Sequence, residues 1–185
     1  MKVGFIGTGT MGQPMVDNLI KKGFAVVAYD VAPAALDAAV RLGAARGGSS
    51  AEVAKLCNNL IAGVVMVAVS EAFRIAEGFG VDPKILTEVI SHSSGATWVM
   101  EHGHPVPGIV PKAAANRDYA PGFMTDLMVK DLGLAVDAAR QLRLPVVVTP
   151  AAQQLLRLAS AHGFGRKDVS SVYQFLRPSS GDAPV

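Results

Sequence analysis

The sequence has few of the features that mark secreted, nucleic-acid-binding or membrane proteins. Its single cysteine, Cys57, cannot form an internal disulfide, which favours a reducing compartment. Its 17 Lys and Arg nearly balance 15 Asp and Glu without a long run of either sign, which argues against a nucleic-acid partner. The longest apolar run, Leu60 to Val69, is interrupted by Gly63 and is too short to span a bilayer. No stretch resembling a targeting peptide precedes the first predicted strand, so we expect a soluble cytoplasmic protein without a membrane partner.

Clustered metal ligands and aromatic residues are also scarce. His92, His102 and His104 lie among turn residues and lack the one-face helical spacing of a metalloenzyme site, so we predict no metal. The single tryptophan, Trp98, is predicted to anchor the core. Cys57 is interpreted as a small buried hydrophobe.

The first thirty residues carry a complete dinucleotide-binding pattern. The apolar stretch from Val3 to Ile6 predicts a buried strand, and the turn Gly7-x-Gly9-x-x-Gly12 follows it. The first glycine of this pattern permits the tight turn, the second lets the backbone approach a pyrophosphate, and the third lets the helix pack on the strand. The helix N-terminus then offers N–H groups to phosphates. The predicted cofactor-binding residues of the turn are Gly7, Thr8, Gly9, Thr10, Met11 and Gly12.

A second predicted strand, Ala25 to Tyr29, ends at Asp30. This is the spacing at which a carboxylate accepts hydrogen bonds from the ribose hydroxyls of adenosine. Because Asp30 repels a 2′-phosphate and Val31 is no arginine, the sequence favours NAD over NADP. The helix between the strands is predicted to bury an apolar face of Met15, Leu19 and Ile20.

From Ala51 onward the pattern changes to helices alone. We predict one long helix from Ala51 to Gly78 and a long ordered loop from Gly103 to Gly122. The other predicted helices run from Pro33 to Leu42, from Pro83 to about His92, from Thr125 to Gln141, from Pro150 to about His162, and from a cap at Asp168 through Phe175. The predicted fold class is α/β followed by all-α: a truncated Rossmann βαβ(α) unit at 1–50, a helical domain at 51–177 led by the long interdomain helix, and a disordered tail at 178–185.

Six segments of the sequence resemble the 3-hydroxyisobutyrate dehydrogenases of the β-hydroxyacid dehydrogenase family. They are GFIGTGTMGQPM, AKLCNNLIAG, SSGATWVMEHGHPVPGI, ANRDYAPGF, LMVKDLGLA and DVSSVYQFL. The resemblance implies NAD-dependent oxidation of 3-hydroxyisobutyrate to methylmalonate semialdehyde in valine breakdown, by a homodimer or homotetramer. A related 3-hydroxy acid dehydrogenase, such as a tartronate semialdehyde reductase, is the alternative enzyme.

The resemblance also assigns site residues. It implies that Lys55 is the general acid/base, and that Asn59, or Asn58 beside it, holds the substrate by hydrogen bonds. Lys130 matches a lysine that reaches the cofactor and substrate cleft, although a surface pair with a neighbouring aspartate is the alternative. Phe123 matches an aromatic near the substrate pocket, and a core role is equally compatible with the sequence.

The chain nevertheless lacks much of the family pattern. The sequence predicts two strands where a Rossmann domain has about six, so roughly a hundred residues are missing, and the interruption falls between Ser49 and Lys55. The family's substrate-carboxylate segment is part of that loss. A catalytically silent remnant, acting as a helical dimerisation module with partial nucleotide binding, is therefore the competing hypothesis.

Overall fold

The computed structural model describes residues 2–47 and 50–177, and the chain divides into two compact units, Met1–Asn58 and Asn59–Val185. Gly48, Ser49 and the predicted tail at 178–185 lie outside the described residues. The division falls inside the long helix, about two helical turns after the predicted boundary at residue 50. Each unit is described by itself below.

The first unit is a small parallel sheet with two helices. In chain order its elements are β1 (Lys2–Ile6), α1 (Gly12–Lys21), β2 (Ala25–Tyr29), α2 (Pro33–Arg41) and β3 (Ala45–Arg46). The spatial order is β1-β2-β3, and β1 and β2 pair from Lys2 opposite Ala25 to Ile6 opposite Tyr29. Consecutive parallel strands joined by helices are the arrangement of one half of a Rossmann fold.

The core of this unit lies between the sheet and its helices. Val26 and Ala28 alternate along β2 and therefore point to one face, where Val16 of α1 and Leu36 of α2 pack against them. The prediction that Met15 is buried is wrong, because its side chain is 55% exposed while Val16 is 0% exposed. One residue further along α1 turns the side chain by about 100°, and Val16 takes the inward position.

The sheet contains a third strand that the sequence does not reveal. In β3, Ala45 lies opposite Val27 and Arg46 opposite Ala28. The amide of Gly47 then donates to the carbonyl of Ala28 at 2.6 Å, which continues the ladder. The prediction of two strands is wrong because a two-residue strand carries no alternating pattern to recognise. Within the described residues the sheet has three strands of the about six in a complete Rossmann domain.

From residue 50 to residue 177 the named elements are helices, as predicted. The helices are α3 (Ser50–Gly78), which begins in the first unit, α4 (Pro83–Ser91), α5 (Trp98–His102), α6 (Thr125–Gln141), α7 (Val148–Ala159) and α8 (Val172–Phe175). Short turns of 3₁₀-helix lie at Ala114–Arg117 and Val169–Ser171, and a π-helical turn lies at Ser160–Phe164. The predicted fold class is thus confirmed, and so are both ends of α6.

Side chains at helix starts explain several of these boundaries. The carboxylate of Asp82 accepts a hydrogen bond from Lys84 N at 2.7 Å at the start of α4. Asp168 accepts one from Ser170 N at 3.0 Å before the last helical segment, which confirms its predicted capping role. Such caps satisfy backbone N–H groups that the first turn of a helix leaves unpaired.

The core of the second unit gathers around α3, α6 and α7. Phe73, Leu132 and Leu156 of these helices are each at most 1% exposed. At Gly63, α3 approaches α6 so closely that a Cβ would lie 2.7 Å from Met128 Sδ and 3.1 Å from a methyl carbon of Leu132. Glycine at that position is therefore a packing requirement of the helix pair.

By length and composition, α3 is also able to cross a membrane. Its stretch Val53–Gly78 has 26 residues and contains an 18-residue window with a mean hydropathy of 1.7, of which 28% is buried. The core helix of a soluble protein meets the same criterion, so this property is weak evidence for a membrane. The short apolar run from Leu60 to Val69 therefore does not exclude a membrane span, because the length of the whole helix sets the span.

Two predicted core residues are at the surface. Cys57 is exposed, because the first turns of α3 precede the packed part of the helix, where the hydrophobic core begins near Leu60. Trp98 is 69% exposed and stacks on His102, with ring centroids 4.8 Å apart and planes 8° apart. It begins the short helix α5, where Val99 and Met100 take the buried positions instead.

Candidate functional site

The glycine turn between β1 and α1 has the geometry that its sequence predicts. Gly7 has φ +90°, a region that favours glycine, and its N–H donates to Tyr29 O at 2.9 Å. A Cβ on Gly12 would lie 1.9 Å from the carbonyl oxygen of Gly7, so any side chain there would displace the turn. A Cβ on Gly9 would meet no atom of residues 2–47 or 50–177 within 4 Å. The fold therefore requires Gly12, whereas the space over Gly9 is open to a ligand.

Asp30 is tied to this turn by hydrogen bonds. One carboxylate oxygen accepts from Thr8 N at 2.5 Å and from Thr8 Oγ1 at 3.2 Å, and the other accepts from Ala32 N at 2.8 Å. Burial raises the pKa of Asp30, but the hydrogen bonds from Ala32 and Thr8 and the positive charge of Lys55 lower it below its usual value. The carboxylate is therefore ionised and fixed at the end of β2, with lone pairs left for further donors.

Lys55 reaches the same turn from the first turns of α3. Its side chain is exposed, and its Nζ lies 3.4 Å from the position that a Cβ on Gly7 would occupy. Lys55, Asp30 and the turn all belong to the first unit. The structure thus assembles a carboxylate, an ammonium group and a glycine turn at the carboxyl ends of β1 and β2.

A groove extends from the turn along α1. It has a volume of about 720 Å³, within the usual range for small-molecule sites. Its lining residues are Gly9, Thr10, Gln13, Pro14, Asp17, Ala35 and Leu42. The groove and the open space over Gly9 place a cavity beside the N-terminus of α1.

These features fit a dinucleotide. Met11 at the start of α1 makes no side-chain capping bond, and the amide of Gln13 already donates to Gly9 O at 3.1 Å. The start of this helix is therefore suited to an anion at the amides that precede Gln13. The amides of Thr10, Met11 and Gly12 would hold the diphosphate, and Asp30 would accept from the ribose. When bound, the nicotinamide of such a cofactor supplies a hydride acceptor.

A second polar cluster lies in the helical unit. Asn59 is half-buried and its Nδ2 donates to Asp131 Oδ2 at 2.7 Å, while Lys130 Nζ lies 3.1 Å from Asp131 Oδ1. Asp131 is only 8% exposed, so its charge is balanced by these two donors. The structure thus brings together two predicted residues, Asn59 and Lys130, through a carboxylate that the sequence-based prediction did not include in the site.

The remaining predicted residues differ in how firmly they are held. Phe123 is 37% exposed; its N–H donates to Asp168 Oδ2 at 3.0 Å, and its carbonyl accepts from Val169 N at 2.9 Å. Asn58 is exposed on α3, and Met11 is 81% exposed on the turn. The roles assigned to these side chains stay predictions.

Asp131 and Thr8 are the structural contributors that sequence reasoning undervalued. The sequence assigns Lys130 to the cofactor and substrate cleft and gives Asp131 only as its alternative surface partner. The contact between Asp131 and Asn59 joins residues 72 positions apart, which no local sequence pattern indicates. Thr8 is fully buried, and both its N–H and its hydroxyl bond to Asp30. Among the residues that the structure describes, no cluster of three or more His, Cys, Asp or Glu is placed to hold a metal ion.

The sheet order, glycine turn and placed carboxylate define a dinucleotide-binding α/β protein with a helical extension. Residues 49–176 match the family described as NAD-binding of NADP-dependent 3-hydroxyisobutyrate dehydrogenase, and the chain belongs to this family of oxidoreductases. Residues 2–73 match the family described as 3-hydroxyacyl-CoA dehydrogenase, NAD binding domain. The predicted family and the NAD-binding character of the chain are thereby confirmed.

Relatives of known sequence agree on the class and differ in the substrate that their names give. The chain is 46% identical over 125 residues to a probable mitochondrial 3-hydroxyisobutyrate dehydrogenase of Dictyostelium discoideum, covering 68% of this chain and 39% of the relative. It is 38% identical over 130 residues to an NAD-dependent L-serine dehydrogenase of Pseudomonas aeruginosa, covering 70% of this chain and 44% of the relative. The chain thus spans less than half the length of these relatives.

A solved structure shares the fold. The 3-hydroxyisobutyrate dehydrogenase of Mycobacterium tuberculosis, determined with L-serine, superposes with a TM-score of 0.72 at 24% identity, covering 96% of this chain and 99% of that one. At this level of sequence identity, the superposition shows that the two proteins share a fold.

Proposed function

We propose that this chain is an NAD-dependent dehydrogenase of a small 3-hydroxy acid, and that 3-hydroxyisobutyrate is its substrate, oxidised to methylmalonate semialdehyde in valine breakdown. The observation that carries the proposal is the glycine turn with Asp30 bonded to Thr8 at the end of β2. The family match supports the reaction class, and the relative in Dictyostelium supports the substrate.

In this proposal Lys55 exchanges a proton with the substrate hydroxyl as a hydride leaves the carbon that bears it. A lysine performs this role from a position within hydrogen-bond reach of the hydroxyl. Asn59 donates to and accepts from the substrate, and Asp131 fixes the orientation of its amide by accepting from Nδ2. Asn58 and Phe123 remain the further substrate-contacting residues predicted from the family pattern.

Asp30 supports the preference for NAD over NADP. Its carboxylate is held at the ribose position by three hydrogen bonds and is ionised at neutral pH. A 2′-phosphate would place like charges together there. Calorimetry on the full chain should therefore give a lower Kd for NAD than for NADP, and the reverse order would contradict the assignment.

Two glycine substitutions test cofactor binding without relying on turnover. Gly9→Ala introduces a methyl group where the fold has open space, so we expect the melting temperature to stay unchanged while NAD affinity falls about tenfold because the methyl group displaces the diphosphate. Gly4→Ala in β1 is the matched control, since its added Cβ also meets nothing within 4 Å. Equal NAD affinity in both variants would contradict a dinucleotide at this turn.

The competing proposal is a catalytically silent remnant. It is supported by the three described strands of the sheet, which are half of a full Rossmann set. An assay of NADH formation distinguishes the enzyme from the silent remnant. In this assay the purified chain is mixed with NAD and 3-hydroxyisobutyrate, and the absorbance of NADH is followed. Robust turnover that Lys55→Ala abolishes supports the enzyme, whereas NAD binding without turnover supports the remnant.

The choice of hydroxy acid needs its own assay. The serine dehydrogenase relative makes L-serine a candidate, and tartronate semialdehyde reductase is the other related activity. We expect kcat/KM to be highest for 3-hydroxyisobutyrate among 3-hydroxyisobutyrate, L-serine and glycerate. A higher value for L-serine or glycerate would overturn the substrate assignment and retain the reaction class.

A further inference from the structure

The ammonium group of Lys55 lies at the glycine turn, where proton transfer is not the only role open to it. Nζ lies 3.4 Å from where a Cβ on Gly7 would be, and its charge lowers the pKa of Asp30. Both observations place a full positive charge at the turn between β1 and α1. The resemblance to the family assigns this lysine to the substrate, whereas the structure sets it beside the cofactor-binding backbone.

A diphosphate bound at this turn would meet two opposing charges. Asp30 is ionised and repels it, whereas the N-terminus of α1 attracts it with a fractional charge of about half a unit. The ammonium group of Lys55 supplies a further whole positive charge and three N–H donors. Hydrogen bonds from an ionised donor to phosphate are shorter and stronger than neutral ones.

We propose that Lys55 binds the diphosphate of the dinucleotide and offsets the repulsion from Asp30, in addition to its proposed part in proton transfer. This inference rests on the proposed function, because it concerns the same cofactor site. It assigns to this chain a cofactor-binding residue on α3, outside the glycine turn itself.

Calorimetric titration of the full chain with NAD and with ADP-ribose tests the inference without any turnover. ADP-ribose keeps the diphosphate and lacks the nicotinamide, so it isolates the contact in question. The variants are Lys55→Met, Lys55→Arg and, as the matched control, Lys22→Met. Lys22 belongs to the same unit and caps the C-terminal end of α1, at the far end of the helix from the glycine turn.

We expect Lys55→Met to weaken both ligands about tenfold, which corresponds to ~1.4 kcal/mol. Its affinity should also depend less steeply on salt than that of the wild type, because one charge has left the site. Lys55→Arg should keep most of the affinity, and Lys22→Met should keep all of it. Far-UV circular dichroism of each variant verifies that the fold is retained.

The possible failures are distinguishable. If Lys55→Met binds NAD and ADP-ribose as tightly as the wild type, or if Lys22→Met weakens them equally, the inference is wrong while the proposed function stands. If the wild-type chain itself binds neither ligand, both the inference and the proposed cofactor site are wrong.

Discussion

Asp131 shows how one buried carboxylate can organise polar neighbours. It accepts from Asn59 Nδ2 at 2.7 Å and pairs with Lys130 at 3.1 Å, at a position that is 8% exposed. Removing a partner from a buried polar contact leaves the other group unsatisfied, which costs more than the contact itself contributes. The amide of Asn59 therefore depends on Asp131 for its orientation.

We expect Asp131→Ala to lower the free energy of unfolding by about 1–3 kcal/mol, measured by urea denaturation. Asp137→Ala is the control on the same helix, since Asp137 pairs with Arg140 in solvent at 60% side-chain exposure and such pairs contribute about 0–1 kcal/mol. Equal losses in the two variants would show that the buried contact has no special contribution.

His104 is a second buried polar residue, remote in sequence from the glycine turn. It is 0% exposed, stacks edge-on against Phe73 at 4.7 Å, and accepts from Val106 N at 3.1 Å through Nδ1. Burial lowers its pKa to about 4. The ring is therefore neutral in the folded chain at neutral pH.

This predicts acid destabilisation. Below the ordinary histidine pKa of 6.5, His104 becomes protonated in the unfolded chain but stays neutral in the folded chain. The stability that is present above pH 6.5 is therefore lost as the pH falls toward about 4. The loss amounts to roughly 3 kcal/mol. Urea denaturation at a series of pH values measures it, and His104→Gln should flatten the curve across this window. His162→Gln, at an exposed histidine, should keep the wild-type slope; a flattened slope there would contradict the assignment.

The sequence predicts residues well where backbone geometry dictates the choice. Gly7 and Gly12 occupy the positions that their spacing requires, and Asp30 directly follows β2 as expected. Burial of individual side chains was predicted less well, as Cys57 and Trp98 show. The hydrophobic character of a side chain indicates that burial is favourable, whereas tertiary packing determines which side chains are buried.

At the scale of elements, periodicity and capping signals account for most of the helices. The ends of α6 at Thr125 and Gln141 match the prediction, and Pro83 opens α4 at its first helical position. The five-residue helix Trp98–His102 and the two-residue strand Ala45–Arg46 were not predicted. Both are too short to complete a period, so partners distant in sequence must specify them.

The crossing of α3 and α6 gives a prediction for an element pair. Gly63→Ala would bring a Cβ to 2.7 Å from Met128 Sδ and 3.1 Å from Leu132, so we expect a loss of about 1–3 kcal/mol in the free energy of unfolding. Gly78→Ala, at the end of the same helix, meets nothing within 4 Å. It should leave stability unchanged or raise it by up to about 1 kcal/mol through helix propensity. Thermal or urea denaturation of both variants measures the contrast, and equal effects would contradict close packing at Gly63.

At the scale of the whole molecule, α3 and Phe79, the residue directly after it, expose large apolar side chains. Ile61 is 60% exposed, Ile75 63% and Phe79 84%. Apolar surface of this kind marks contacts with other proteins or with a membrane. The homodimer or homotetramer implied by family resemblance favours the first explanation, and the cytoplasmic location predicted from sequence stays a prediction.

We therefore expect the purified chain to remain in the supernatant after ultracentrifugation without detergent. Light scattering should give a molar mass of two or four chains, and Phe79→Ser should shift the distribution toward the single chain by removing exposed apolar surface. The oligomer prediction would be wrong if the original chain and Phe79→Ser both had the molar mass of a single chain. It would also be wrong if the original chain were recovered only with detergent.

The contrast between Gly9 and Gly12 has a consequence for descent. Gly12 is required by the fold itself, since a side chain there would collide with the carbonyl of Gly7, whereas none of the described residues lies within 4 Å of a Cβ on Gly9. A lineage that had lost nucleotide binding would still retain Gly12, because the fold requires it, but it would be free to replace Gly9. Among genes descended from this one, the residue at position 9 would therefore record whether selection for the cofactor continued.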